Sequence, residues 1–247
     1  MDTPLDALRR ISAISDAELS RRSGTSRSTI HRIDAGAVHP TLRTLRELAI
    51  AAGLDLEVAY RPLSDPAAGR AARFLLDSAF DRVPKTADDV EWLQRLSRVA
   101  DSDDPISIVT EAGRATNLYH REDAVLLTHS VPALRLASAG DATGGGWIIS
   151  GRAALAAIND TGTTTGIGPD VLYVTDPQRA WRLLEAPPRT EHIARVGLII
   201  APLRDEHIVD SWEQDRARFV APIQILLDSM GLGGGLAETA RRVAESW

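Results

Sequence analysis

The sequence contains no cysteine at any of its 247 positions. Disulfide bonds and thiolate metal sites are therefore excluded, and such a composition is typical of a reducing compartment. Long apolar runs are also missing. The longest, such as residues 196–201, are far below the roughly 20 residues of a membrane-spanning helix, and no apolar leader follows basic residues near the start. We therefore expect a cytoplasmic protein without a membrane partner.

The sequence also lacks the motifs that commonly mark catalysis. It has no H-E-x-x-H, no G-x-S-x-G, no Walker sequence and no cysteine nucleophile. One acid/base set is conceivable, Asp205, Glu206 and His207 together with His192, but acidic residues beside a histidine are common on surface loops. We therefore expect neither enzymatic activity nor a cofactor.

Lysine is nearly absent, because Lys85 is the single lysine among 28 basic residues. The net charge of −6 argues against a nucleic-acid partner, but the charges are unevenly distributed. Residues 9–46 contain eight arginines and three acids, a net charge of +5, so the rest of the chain carries −11. A basic segment attached to an acidic body is the asymmetry expected when one end of a protein meets phosphates.

The first 60 residues predict four short helices, because apolar residues recur at helical spacing between capping residues and glycines. The helices are expected over residues 5–11, 17–23, 27–35 and 41–52. The side chains expected to face inward are Leu5, Leu8, Ile11, Leu19, Ile30, Ile33, Leu42, Leu45, Leu48, Ala49 and Ala52. A short strand is predicted over residues 55–60, where polar and apolar residues alternate.

The second and third of these helices, with a short glycine-containing turn between them, form a helix-turn-helix pattern. The run E-L-S-R-R-S-G-T-S-R-S-T-I-H-R-I-D-A-G over residues 18–36, followed by P-T-L-R-T-L over residues 40–45, resembles the Xre/Cro repressor family. The resemblance covers about residues 5–58. In one departure, Asp16 stands where family members usually carry a glutamine that braces the DNA backbone. A carboxylate is stabilised at a helix N-terminus by the helix dipole, but it cannot donate a hydrogen bond to a phosphate.

The resemblance implies that the third helix places its N-terminal side chains in the major groove of double-stranded DNA. The residues that it assigns to base edges are Arg27, Ser28, Thr29, His31 and Arg32. Those that it assigns to phosphates are Ser26, Thr41 and Arg43. Such domains commonly bind inverted repeats as homodimers, with half-sites near one helical turn apart. Outside this motif the same arginines would be interpreted as solvated surface.

A metal site at His31 and His39 is disfavoured, because no cysteine or carboxylate lies at ligand spacing. The acidic stretch of residues 101–104 lacks the spaced carboxylates and distal glutamate of a calcium loop. We interpret it as an exposed turn. We therefore expect no metal.

The region after the helix-turn-helix has weaker signals. Residues 61–69, with two prolines and a glycine, predict a linker. Helices are predicted over residues 71–80 and 88–99, and the apolar stretches 106–109 and 124–128 are predicted to pair as strands. Residues 70–145 are therefore expected to form a middle region of helices and short strands.

The glycine-rich residues 140–146 are interpreted as a linker or hairpin turn, because no Gly-Lys-Ser/Thr follows to make a phosphate-binding loop. Strand-like and helix-like stretches then alternate over residues 147–210. This alternation predicts a small mixed α/β domain over residues 146–247.

The closing segment predicts two helices separated by glycines, F-V-A-P-I-Q-I-L-L-D-S-M-G-L-G-G-G-L-A-E-T-A-R-R-V over residues 219–243. It resembles the end of the AbiEi family, the antitoxins of type IV toxin–antitoxin systems, in a similarity that extends over about residues 147–245. The matching positions are Pro222, Gln224, Leu226, Asp228, Gly234, Glu238, Ala240 and Arg242. Members of that family usually carry a winged-helix domain at the N-terminus, whereas this chain has the Xre-like one. A purely structural interpretation is a buried helix pair that packs with Trp212 and Phe219.

These observations predict an α+β protein with an all-α helix-turn-helix domain (residues 1–60), a linker (61–69), the middle region (70–145) and an AbiEi-like α/β domain (146–247). The resemblances imply a transcriptional repressor that binds an operator in its own promoter. They also imply an antitoxin that counteracts a nucleotidyltransferase toxin without a stable complex. Two alternatives stay open: a ligand- or partner-sensing Xre-family transcription factor unrelated to a toxin, and an acidic body that mimics or shields nucleic acid.

Overall fold

The computed structural model describes residues 4–159, 168–185 and 188–246. The chain divides into two compact units, an N-terminal unit of residues 1–61 and a C-terminal unit of residues 62–247. The described part of the N-terminal unit is all-α, and the C-terminal unit combines helices with a six-stranded mixed sheet. The predicted α+β class is therefore confirmed.

The N-terminal unit consists of α1 (Pro4–Ser12), α2 (Asp16–Ser23), α3 (Arg27–Asp34) and α4 (Leu42–Ala51). Each of the last three begins after a hydroxyl side chain that accepts a hydrogen bond from the backbone N–H three residues later; these caps are Ser15, Ser26 and Thr41. Gly24 ends α2 in the left-handed conformation, with φ of +69°. The four predicted helices are confirmed.

The core of the N-terminal unit contains Leu5, Leu8, Leu19, Ile30, Ile33, Leu48 and Ala51. The prediction was wrong at Ile11 and Leu42, which are 71% and 61% exposed. Both lie in the terminal turn of a short helix, where the side chain extends past the residues that enclose the core. Residues 55–60 form no strand in the described structure, because no second strand lies in this unit to share backbone hydrogen bonds.

The C-terminal unit begins with three helices, α5 (Pro66–Leu76), α6 (Ala87–Val99) and α7 (Pro105–Ala115), and two 3₁₀ turns, Ser78–Arg82 and Leu118–His120. The predicted linker of residues 61–69 was too long, since Asp65 caps α5 and Pro66 begins it. The predicted strand of residues 106–109 was wrong as well. Asp104 and the proline after it start α7 in the same way, so these apolar residues form a buried helical face.

The sheet contains β1 (Val125–Leu127), β2 (Trp147–Gly151), β3 (Asp170–Val174), β4 (Leu198–Pro202), β5 (Trp212–Gln214) and β6 (Ala217–Phe219). Its order is β1-β4-β3-β2-β6-β5. The pairs β3/β4 and β2/β6 are parallel and the other three are antiparallel. All five residues of β3 are buried, as expected for a central strand that is covered on both faces.

The remaining helices are α8 (Ala133–Thr143), α9 (Arg152–Ile158), α10 (Pro177–Leu183), α11 (Asp205–Ile208), α12 (Pro222–Leu232) and α13 (Gly234–Glu245), with a 3₁₀ turn at Ile193–Arg195. The predicted glycine loop of residues 140–146 was wrong in its first half, which belongs to α8. A Cβ atom at Gly140 would lie 2.3 Å from the Trp147 ring. This glycine therefore serves close packing against an indole.

Helices α5 to α7, the sheet and helices α12 and α13 share one hydrophobic core, which extends from Ala71 to Val243. The predicted division between a middle region of residues 70–145 and a domain of residues 146–247 therefore falls inside one compact unit. Within the described residues, every helix lacks the length or the apolar character needed to cross a bilayer.

Helices α7 and α12 approach each other backbone to backbone at two glycines. A Cβ atom at Gly113 would lie 2.7 Å from the Cβ of Met230 and 2.9 Å from the carbonyl oxygen of Leu227. A Cβ atom at Gly231 would lie 2.6 Å from the carbonyl oxygen of Gly113. Because a backbone carbonyl cannot move aside as a flexible side chain does, the two helices require glycine here.

We predict that Gly113→Ala lowers the free energy of unfolding of the C-terminal unit by about 1–3 kcal/mol, although alanine has the better helix propensity. Gly69→Ala on α5 is the matched control, because its Cβ would meet only side-chain methyl groups, of Thr116 at 3.3 Å and of Leu227 at 4.0 Å. Urea unfolding of the full chain by tryptophan fluorescence measures both, since all five tryptophans lie in the C-terminal unit. Equal unfolding midpoints for the two variants would contradict the prediction.

Candidate nucleic-acid interface

The eight arginines of the basic segment divide into paired and unpaired groups. Arg21 and Arg22 both bind Glu18, at 2.5 and 2.6 Å, and hold the pKa of its carboxyl down at about 2. Arg9 and Arg10 also have partners. The side chains of the remaining four are exposed and make no ion pair or hydrogen bond with any described residue; these free arginines are Arg27, Arg32, Arg43 and Arg46. The free arginines of the basic segment therefore all lie on α3 and α4.

Helix α3 presents one face to the core and another to solvent. Ile30 and Ile33 are buried, whereas Arg27, His31 and Arg32 are exposed. In the helix-turn-helix arrangement the solvent face of the second helix is the one that enters the major groove. The structure therefore brings these three predicted base-contacting residues onto the face that this binding mode requires.

The hydroxyl groups among the predicted contacts are engaged within the protein. Ser26 Oγ accepts from the backbone N–H of Thr29 at 3.1 Å and lies 2.9 Å and 2.8 Å from the hydroxyl oxygens of Ser28 and Thr29. Thr41 Oγ1 likewise accepts from the N–H of Thr44. These hydroxyls cap helices α3 and α4. Among the predicted contact residues, the side chains left to extend away from the protein are those of the arginines and His31.

Arg46 was missed by the sequence analysis, which assigned only Arg43 on α4 to the phosphates. The two arginines lie three residues apart, and side chains at that spacing are neighbours on a helix surface. Both are exposed. The i,i+3 spacing was the available signal, but it did not show that Arg46 lacks a carboxylate partner.

Asp16, the departure from the family pattern, has a structural partner. Arg9 Nη2 lies 2.7 Å from Asp16 Oδ1 and 2.6 Å from Asp34 Oδ2, and Arg9 Nη1 donates to Asp34 Oδ1 at 3.1 Å. The two carboxylates raise the pKa of Arg9. One guanidinium on α1 thus joins the first turn of α2 to the last turn of α3. This clamp fixes the orientation of α3 relative to the helix before it.

A second set of polar side chains lies inside the C-terminal unit, around Asp228. Ser150 donates to Asp228 Oδ2 at 2.5 Å, and Tyr173 and Gln224 donate to Oδ1 at 3.0 and 2.9 Å. Burial raises the pKa of Asp228, whose side chain is 1% exposed. Both carboxyl oxygens are occupied by protein donors, so this cluster joins α12 to β2 and β3 and leaves no face for a substrate.

The conceivable acid/base set around His207 is not assembled. His207 is buried and stacks on the Tyr173 ring with 3.9 Å between ring centroids, while Asp205 and His192 are exposed. Its Nδ1 accepts from the backbone N–H of Arg204 at 3.1 Å. Burial and the nearby Arg121 lower the pKa of His207, which keeps the imidazole neutral.

Two other kinds of site could bind a ligand, a metal site and a cleft for a small molecule. Among the described residues, no group of three or more histidine, aspartate or glutamate side chains is arranged to hold a metal ion. An open cleft of about 670 Å³ lies between the Ser78–Arg82 turn and α11, lined in part by Arg70, Glu206 and Asp210. Its Arg70 is bound to Asp89 and Glu206, whereas the other charged side chains of the lining, Arg82, Asp205 and Asp210, make no ion pair with a described residue.

No protein-family model, curated protein or solved structure matches this chain. The resemblances to the Xre/Cro and AbiEi families therefore stay predictions. A functional assignment depends on the residues and their geometry.

We predict that the buried His207 makes the C-terminal unit less stable in mild acid. Because its pKa is lowered on folding, the unfolded chain binds more protons than the folded chain below the ordinary histidine pKa of about 6.5. The free energy of unfolding therefore falls as the pH falls through that value, by up to about 1.4 kcal/mol per pH unit. His207→Gln removes this slope and keeps an acceptor for the N–H of Arg204.

Urea unfolding by tryptophan fluorescence between about pH 7.5 and about pH 5 measures the slope. Asp170 and Asp228, whose pKa values are raised, contribute slopes of opposite sign, but they are present in both proteins and cancel in the difference. His192→Gln, at an exposed histidine, is the control and should retain the wild-type slope. A His207→Gln slope equal to that of the wild type would refute the assignment.

Proposed function

We propose that this chain is a sequence-specific DNA-binding regulator that contacts double-stranded DNA through α3. The observation that carries the proposal is the set of free arginines on α3 and α4 of a compact helix-turn-helix unit. Every acid of α2 and α3 is bound to an arginine, as the partners of Asp16, Glu18 and Asp34 show. On α3 and α4 the four free arginines outnumber the one acid that is unpaired within the described residues, Glu47, so the charge that is left to meet a phosphate backbone is positive.

Two kinds of contact follow from this arrangement. Arg43 and Arg46 supply phosphate contacts, which set affinity and make it salt-dependent. Arg27 and Arg32, on the exposed face of α3, supply contacts to base edges, which set specificity. The half-site arrangement expected of a homodimer on an inverted repeat belongs to this proposal as well.

We further propose that the regulator is a cytoplasmic repressor of its own promoter and the antitoxin of a type IV system, acting without catalysis. The support is the similarity of the closing segment to the AbiEi family. Gln224, Leu226, Asp228 and Ala240, four of the matching positions, are buried in the α12–α13 pair. Buried positions are those that a shared fold would constrain, and a fold by itself does not define a function, so a cellular test is needed.

A ligand-sensing regulator is the second candidate, and the cleft of about 670 Å³ beside α11 favours it. Its lining of Arg70, Arg82, Asp205, Glu206 and Asp210 fits a small ligand that carries both charges. An adjacent gene that encodes no nucleotidyltransferase would favour this candidate over the antitoxin.

We predict that Arg27→Ala/Arg32→Ala weakens binding of the full chain to its own upstream DNA by at least about tenfold, because each lost base contact costs about 1–3 kcal/mol. The control is Arg82→Ala/Arg98→Ala, which makes the same change of net charge at exposed arginines of the C-terminal unit and should bind like the wild type. Electrophoretic shifts with excess competitor DNA measure both.

The same titration tests the phosphate contacts. Wild-type affinity should fall steeply between about 50 and about 200 mM salt. A dissociation constant that does not change with salt would contradict the phosphate assignment. No specific shift by the wild type would contradict the proposed DNA-binding function itself.

For the antitoxin, we predict that the full chain restores growth to cells that express the neighbouring toxin gene. The Arg27→Ala/Arg32→Ala variant, expressed from a foreign promoter, should rescue equally well, because neutralisation is assigned to the C-terminal unit. Failure of both proteins to rescue would refute the antitoxin role. Failure of the variant alone would mean that DNA binding is itself the protective activity.

A further inference from the structure

The exposed face of α3 has a narrow chemical composition. Its exposed residues are Arg27, Ser28, His31 and Arg32, while Thr29 is half-buried and Ile30 is buried in the core. Ser28 Oγ lies 2.9 Å from Ser26 Oγ and is part of the helix cap. The long side chains left on this face are two arginines and one histidine.

No carboxylate or carboxamide lies on this face. Asp34, the one acid of α3, is bound to Arg9 in the clamp that joins the three helices. Arg27 and Arg32 have no partner among the described residues, so their guanidinium groups keep all of their donors. The face therefore offers strong hydrogen-bond donors and no strong anionic or amide acceptor.

This composition selects among the base edges of the major groove. Guanine presents two acceptors there, N7 and O6, which match the two donors of a guanidinium. Adenine and cytosine each present an amino donor, which pairs with Asn, Gln, Asp or Glu, and Ser or Thr can contact any of these edges. The first four are absent from this face, and the hydroxyls of Ser28 and Thr29 are engaged with Ser26, so guanine is the base that this face matches best.

We propose that the DNA recognised by this chain carries guanines in the major groove at two positions of each half-site, one bound by Arg27 and one by Arg32. The inference rests on the proposed DNA-binding function and names the base that confers its specificity. The two residues lie about 7.5 Å apart along the helix axis. Because five residues also turn the helix by about 140°, the two side chains leave opposite edges of the exposed face and contact different base pairs.

The free arginines of α4 have a different task. Arg43 and Arg46 are on another helix, outside the exposed face of α3, and phosphate contacts carry no sequence information. Replacing one of them should weaken binding to every duplex and leave the base preference unchanged. Replacing Arg27 or Arg32 should change the preference itself, which separates the two roles experimentally.

The test begins with selection of duplexes from a random library by the full wild-type chain, and by the Arg27→Gln, Arg32→Gln and Arg43→Gln variants, which each lose one positive charge. The expected wild-type motif contains two guanines per half-site. Arg27→Gln and Arg32→Gln should each lose one of them, with a preference reduced about fivefold or more. Arg43→Gln should retain both guanines and bind more weakly overall.

The second step replaces each selected guanine in turn by 7-deazaguanine, which lacks the N7 acceptor, and measures affinity by fluorescence anisotropy. At the position bound by Arg27, the replacement should weaken wild-type binding about fivefold or more and have little further effect on Arg27→Gln. A guanine outside the motif serves as the control position.

A selected motif without guanine, or wild-type affinity that is insensitive to 7-deazaguanine at every motif position, would overturn the guanine assignment while DNA binding by the chain stands. Binding of all duplexes with equal affinity would also overturn it, because the arginines would then contact phosphates alone. No binding to any duplex would refute the DNA-binding function on which the inference rests.

Discussion

The buried carboxyl group of Asp228 is the constraint on which the C-terminal unit depends. A charged or polar group inside a core costs several kcal/mol unless hydrogen bonds satisfy it, and here the donors come from Ser150 on β2, Tyr173 on β3 and Gln224 on α12. The need for these hydrogen bonds holds α12 against β2 and β3, the two central strands of the sheet. Helix α12 in turn packs against α7 at Gly113 and against α13. The positions of α7 and α13 therefore depend on that of α12.

The N-terminal unit uses charge in another way. The acids of α2 and α3 are paired with arginines: Arg9 binds Asp16 and Asp34, and Glu18 binds Arg21 and Arg22. The unit therefore combines these ion pairs with an exposed face of α3 that carries Arg27 and Arg32 and no free carboxylate. Rigidity and positive charge arise from the same pairings, and both favour a helix that must enter a groove with defined side-chain positions.

Much of the local structure was predictable because its causes are local. Ser15, Ser26 and Thr41 begin helices through hydrogen bonds to backbone three residues away, and the alternation predicted over residues 147–210 agrees with the order β2, α9, β3, α10, β4. The errors arose where residues distant in sequence decide the secondary structure. Residues 106–109 read equally well as strand or helix, and Gly140 belongs to a helix because the ring of Trp147 packs against it.

The sequence by itself determined the capped helices, the basic segment and the α+β class, because these depend on neighbouring residues and on composition. Tertiary structure alone decided which arginines are free, that Asp16 serves a clamp, and that His207 is buried. The physical reason is distance along the chain: Arg9 binds Asp34 across 25 residues and Ser150 binds Asp228 across 78. Such pairs follow from how the elements pack, which no local pattern specifies.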